Sequence, residues 1–148
     1  MSYAPPRKVR PIAVCIIRRS DSILVFEGHD NVKNQTFYRP LGGSIEFGEL
    51  GVAAVVRELR EEVGADLINI SFVGVLENLF TYEGHPGHEI VLVYKAELAS
   101  RDLYEVNESI GYEDGGDQFK VMWKPVSEFG PGGDPLYPDG LAELLSGE

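Results

Sequence analysis

The sequence predicts an α/β (α+β) domain: one mixed β-sheet with helices covering it. Three observations carry that expectation. Apolar runs of strand length lie on both sides of one long amphipathic stretch, polar and glycine-rich segments separate them, and a short apolar segment ends the chain. The 148 residues are the length of one ordinary domain, and 43% hydrophobic with 25% charged residues is a normal globular balance.

Residues 1–10 contain Pro5, Pro6, Arg7, Lys8 and Arg10 and no apolar core, so they are expected to form an N-terminal arm and not a secretory signal. Residues 11–148 are expected to form the single domain. Strands are predicted at 12–18 and 23–27, around the polar turn Arg19-Ser20-Asp21-Ser22, with a loop over 28–35. Residues 37–43, ending in Gly42-Gly43, are expected to be a glycine-rich turn, and 44–49 a loop. Residues 50–63 hold no proline, and Val52, Val55, Val56, Leu59 and Val63 recur at spacings of three and four. That is one stripe of a helix, with Gly64 as its stop. Strands are expected at 69–76 and 89–98, joined by a loop containing Tyr82, Gly84, His85, Pro86 and Gly87. The acidic stretch 102–117 is expected to be a loop and 119–123 a strand. Ser127 is a candidate cap for a short turn, and 141–145 a final short helix.

Composition narrows the function classes. The 24 acidic and 13 basic side chains give a formal charge of −11, a field that repels nucleic acid and anionic membranes. Small anionic substrates stay open, because a bound cation reverses the local sign. No apolar run approaches the roughly 18 residues of a membrane span. The single cysteine, Cys15, lies in an apolar run and reads as a core thiol, not a nucleophile. A cytoplasmic protein is expected, with a homodimer compatible with the sequence.

The chemistry is expected on the helix. Glu58, Glu61 and Glu62 stand at i, i+3 and i+4 and so share one face, opposite the valine stripe. An acidic helix side is usually a solvated one. Here Gly42-Gly43 brings backbone near the helix start, where a carbonyl can add an oxygen ligand, and Glu46 and Glu49 add acids on the connecting loop. Carboxylates gathered this way suit Mg²⁺ or Mn²⁺, which prefer oxygen ligands.

The spacing then meets a known pattern. Gly43, five residues, Glu49, seven residues and Arg57-Glu58-Leu59-Arg60-Glu61-Glu62-Val63-Gly64-Ala65 resembles the Nudix box, G-x5-E-x7-R-E-U-x-E-E-x-G-U, at every fixed position. The approach Arg39-Pro40-Leu41-Gly42-Gly43 differs from the Pro-Gly-Gly of many members, since the proline precedes leucine. Trp123-Lys124-Pro125-Val126 is similar to the family's late strand and exit. The resemblance implies a Nudix fold, an α/β/α sandwich with a mixed sheet. It also implies Mg²⁺- or Mn²⁺-dependent hydrolysis of a nucleoside diphosphate linked to another group. Carried across, Glu58, Glu61, Glu62 and the Gly42 carbonyl correspond to metal ligands, Glu49 and Arg57 to the pair orienting the carboxylates, and Glu58 to the base for water.

Many members add an acid from a late loop. Glu113 is the first candidate, with Asp114, Asp117 and Glu77 as alternatives. His88 is open to phosphate contact or to local hydrogen bonding. Tyr38, Phe80, Tyr82 and Trp123 are open to base stacking, with core packing the commoner use of strand aromatics. Arg7, Lys8 and Arg10 read as a solvated terminus, with phosphate or partner contact as the alternative. Two rivals accompany the hydrolase: a non-cleaving nucleotide sensor, which is expected to lack box carboxylates, and an isoprenoid diphosphate isomerase, which needs a reactive cysteine. The substrate, a nucleotide or related diphosphate, stays open among nucleoside triphosphates, sugar nucleotides including ADP-ribose, and dinucleoside polyphosphates.

Overall fold

The computed structural model describes residues 3–147. Its strands are β1 (Val9–Arg19), β2 (Ser22–Asp30), β3 (Gln35–Ser44), β4 (Leu67–Tyr82), β5 (His85–Leu98), β6 (Glu108–Tyr112) and β7 (Gln118–Pro125). Helix α1 (Gly51–Val63) joins β3 to β4, and α2 (Leu141–Ser146) lies near the C-terminus. The strands form one sheet in the order β4-β5-β1-β3-β2-β7-β6. Among these seven strands β1 and β5 pair in parallel and the other pairings are antiparallel.

Helices cover both faces, so β1 is buried on both sides. Ala13, Cys15 and Ile17 pack with Ala54, Val55 and Leu59 of α1. Ile12, Val14 and Ile16 pack with Leu141 and Leu145 of α2. This two-sided burial is why β1 reads as a near-continuous apolar run instead of an alternation. Each fully buried aliphatic side chain contributes about 1.5–3 kcal/mol relative to exposure.

Helix α1 spans the expected segment with Leu50 as its N-cap, and Gly64 ends it in the left-handed conformation, with its N–H donating to the Arg60 carbonyl. The buried stripe is narrower than expected: Ala54, Val55 and Leu59 are buried, whereas Val52 is exposed.

Several other expectations are corrected. Residues 37–43 are not a turn but part of β3, where Gly42 and Gly43 pair with Val14 and Ala13 of β1. Close approach is the reason for the glycines. A Cβ on Gly42 would lie 2.1 Å from the Ala13 carbonyl oxygen, and Gly42 has φ +152°. Val9 and Arg10, assigned to the arm, are the first residues of β1. The expected loop at 28–35 shrinks to 31–34, since β2 runs on to Asp30. The joint between β4 and β5 is a tight turn at Glu83-Gly84, with His85, Pro86 and Gly87 in β5. The acidic stretch 102–117 contains a single 3₁₀ turn (Leu103–Glu105) and β6. Ser127 does not cap its turn; it lies inside the 3₁₀ turn Val126–Glu128, which has no side-chain cap. Alternation within β6 is obscured by Glu108 and Gly111.

No helix among the described residues is long and apolar enough to cross a membrane. Cys15 is 1% exposed, and burial pushes its thiol up to about 12, so it is held as an inert core thiol.

Candidate active site

One strand, one helix and one turn bring the acids together. Gly42 and Gly43 at the end of β3 lie against α1, and the Glu58 carboxylate fills the space beside Gly43. A Cβ there would stand 2.5 Å from the Glu58 carboxyl carbon. The turn between β6 and β7 brings Glu113 to the same place.

Arg57 organises this end. Its Nε and Nη2 donate to the two oxygens of Glu49 at 2.9 and 3.0 Å, a bidentate pairing, and Nη2 also donates to the Ser44 carbonyl at 3.0 Å. Nη1 donates to Glu58 at 3.0 Å and to Glu61 at 3.3 Å, with Glu46 at 3.7 Å. Hydrogen bonding from Arg57 lowers the Glu49 carboxyl to about 2, with the Glu46 backbone assisting. The same contacts raise the Arg57 guanidinium, Glu49 foremost. The loop 45–50 is therefore fastened to the helix by a charge pair that stays ionised.

Glu62 differs. Burial pushes its carboxyl up to about 8; the charges of Glu58, Glu113 and Glu61 push the same way, while the Gly42 backbone amide opposes them. Its Oε1 is buried with no hydrogen-bond partner. Glu58 is also raised, by burial first, with Arg57 opposing and Glu61 and Asp114 adding repulsion. A buried carboxylate oxygen without a partner costs free energy unless a proton or a cation meets it.

The group implied by the resemblance, a divalent cation, fits these residues. The donors are hard oxygens, Glu62 Oε1 is unsatisfied, and Gly43 leaves room for the Glu58 carboxylate. Glu61 is 43% exposed and turned to Arg57. Among the described residues no three His, Cys, Asp or Glu side chains already form a cage. Arg57 engages Glu58 and Glu61. Of the late acids, Glu113 lines the cleft and acts on Glu62, and Asp114 acts on Glu58. Asp117 meets Glu113 through backbone, and Glu77 is exposed on β4.

The cleft beside Gly42, Gly43 and Glu62 has a volume of about 650 Å³. Much of its wall was not anticipated: Phe37, Arg39, Asn78, Glu89 and Tyr137 line it. Phe37 meets the rings of Tyr82 and Tyr137 at centroid distances of 6.0 and 5.5 Å. Alternation along β3 is the sequence signal for Phe37 and Arg39, and the Gly42-Gly43 pair at the end of the strand masks it. Phe80 and Tyr82 line the cleft, whereas Trp123 and Tyr38 belong to the packing. Trp123 donates Nε1–H to the Leu103 carbonyl. His88 pairs with Val9 and Leu79 in the sheet. Arg10, expected in a solvated terminus, lines the cleft.

The NUDIX domain model matches residues 8–141. The chain belongs to the NUDIX family. Its sheet covered by helices is the Nudix fold. A crystal structure of a MutT NUDIX hydrolase from Burkholderia pseudomallei superposes with TM-score 0.66 at 19% identity, covering 94% of this chain and 98% of that one. The solution structure of the E. coli ORF135 protein gives TM-score 0.56 at 21% identity, covering 95% and 90%. In sequence, an NAD-capped RNA hydrolase NudC from Pseudomonas aeruginosa is 28% identical over 103 residues, which is 70% of this Nudix chain and 34% of that protein. One from Pseudomonas putida is 30% identical over 96 residues, or 65% and 32%. The chain thus spans about a third of the length of these curated relatives.

Proposed function

We propose that this Nudix-family chain is a pyrophosphohydrolase that cleaves the diphosphate linkage of a nucleoside diphosphate joined to another group, releasing a nucleoside monophosphate. The observation that carries the reading is the buried, unpartnered Glu62 Oε1 beside Glu58 and Gly43. That oxygen, on a side chain that lines the cleft, is left for a cation or a proton to meet. Glu58, Glu61, Glu62 and the backbone of Gly42 would hold Mg²⁺ or Mn²⁺. When bound, such an ion neutralises phosphoryl charge and makes water more acidic.

The remaining work falls to the chain. Glu58 accepts the proton of the attacking water, helped by burial that keeps its carboxylate basic. Glu113 adds negative charge opposite Glu62 and is the second candidate for that proton. Arg57 and Glu49 keep the carboxylates oriented. The NudC relatives are named as NAD-capped RNA hydrolases, which supports cleavage of a diphosphate. With a charge of −11, small nucleotides are the proposed substrates in preference to long RNA. The cytoplasm is the proposed location, consistent with a lone buried thiol.

The isomerase alternative lacks its reactive cysteine, because Cys15 is buried in the core. The decisive test is a panel of diphosphate substrates with Mg²⁺ and Mn²⁺, run beside Glu58→Gln and Glu62→Gln. Metal-dependent release of a nucleoside monophosphate is expected, reduced at least roughly a hundredfold by either substitution. Tight nucleotide binding with no turnover across the panel would replace the hydrolase by the sensor.

A further inference from the structure

We propose that Arg10 and Arg39, held by Glu89, form a subsite for a substrate phosphoryl group other than the two joined by the scissile linkage. The proposal rests on the diphosphate-hydrolase reading. It starts from the parallel pairing of β1 with β5, which sets Arg10 beside Glu89. Glu89 is a carboxylate only 3% exposed. One of its oxygens accepts from Arg39 Nη2 at 3.0 Å and from Asn78 Nδ2 at 3.2 Å. The other lies 3.6 Å from Arg10 Nη1.

One carboxylate would satisfy one guanidinium, yet two are present. The cluster therefore carries a net positive charge in the wall of a cleft that is otherwise rich in acids, within a chain of charge −11. The donors are unequally used. Arg10 is engaged by the Tyr3 hydroxyl, by Ser44 Oγ at 2.7 Å and by Glu89. Among the described residues, Arg39 engages Glu89 through Nη2 alone. A guanidinium has five N–H donors in a planar fork, so most of those on Arg39 remain for a ligand. Its side chain is 18% exposed and lines the cleft, so those donors are both accessible and partly desolvated.

Stability does not account for the arrangement, because a buried ionic cluster gains little over apolar packing of the same volume. A phosphate does account for it. Its oxygens match the arginine fork, and its charge offsets the surplus cation. Sugar hydroxyls would leave that charge uncompensated. Glu89 is a positioning residue in this scheme, acting through the arginines it holds.

The test compares ATP with ADP-ribose, which share the adenosine diphosphate portion, in wild type, Arg39→Gln, Arg39→Lys and Glu89→Gln. Arg39→Gln is expected to raise KM for ATP about tenfold or more, as loss of a charged hydrogen bond does, with kcat moved less than about threefold. The loss in kcat/KM should be at least about tenfold larger for ATP than for ADP-ribose. Arg39→Lys should restore part of the ATP affinity, and Glu89→Gln should move KM in the same direction as Arg39→Gln. Equal losses on both substrates would assign the arginines to the shared diphosphate and overturn the proposal, as would no loss on either. Thermal melts identify any variant that fails to fold, and Arg39→Lys then carries the comparison. If wild type hydrolyses nothing, the hydrolase reading fails by itself. The subsite is then read by calorimetry with inorganic tripolyphosphate. Weakening by Arg39→Gln of about tenfold keeps it, and unchanged binding removes it.

Discussion

Two arginine–carboxylate assemblies occupy the region of one cleft, and they are built in opposite senses. At the helix end a single cation, Arg57, holds Glu49, Glu58 and Glu61, leaving surplus negative charge. At the strand end a single anion, Glu89, holds Arg10 and Arg39, leaving surplus positive charge. The two assemblies meet at Ser44, whose carbonyl accepts from Arg57 and whose hydroxyl accepts from Arg10, so a surplus of anionic groups and a surplus of cationic groups lie side by side.

The comparison breaks first at Arg57. Arg57→Gln is expected to lower kcat by roughly ten- to a hundredfold, as loss of a group orienting metal ligands does. Steady-state kinetics over a Mg²⁺ titration would show it, and an unchanged kcat would mean that the carboxylates orient themselves. Gly43→Ala tests the same end without touching a charge. Because the new Cβ would meet the Glu58 carboxyl, a loss of roughly tenfold is expected, with the melting temperature little changed. If activity survived, Glu58 would have to act from another position.

At the strand end the readout is stability. Removing the Glu89 charge leaves two guanidiniums without their shared carboxylate, so Glu89→Gln is expected to cost about 1–3 kcal/mol in denaturant unfolding. Added tripolyphosphate should stabilise wild type more than the variant, because the variant binds the phosphate more weakly. The smallest expected effect is in the acid limb of the stability profile. Folding lowers the Glu49 carboxyl from 4.5 to about 2. Its contribution is therefore complete above about pH 4.5 and fades as pH falls toward 2. Glu49→Gln should flatten that part of the profile, and an unaltered slope would place the acid sensitivity elsewhere.

The helix end was legible because its order is local. Spacings of three and four fixed which residues share a side of α1, and the interval from Gly43 to Glu49 to Arg57 is short enough for the chain itself to fix. Even there the sequence erred in detail. Gly42-Gly43 looked like turn chemistry, whereas the glycines admit β1 and the Glu58 carboxylate to a strand. The three carboxylates also looked equivalent, but burial separates Glu62 from the exposed Glu61.

By itself, then, the sequence determined the α+β class, the helix and the Nudix box along it, since helical periodicity needs no knowledge of distant residues. Only the tertiary structure decided the other wall of the cleft. Arg10 lies beside Glu89 through the register of a parallel pair, Arg39 reaches Glu89 from β3, and Asn78 completes the cluster from β4. Strand register is a non-local quantity set by burial on both faces of the sheet, and no spacing along the chain encodes it.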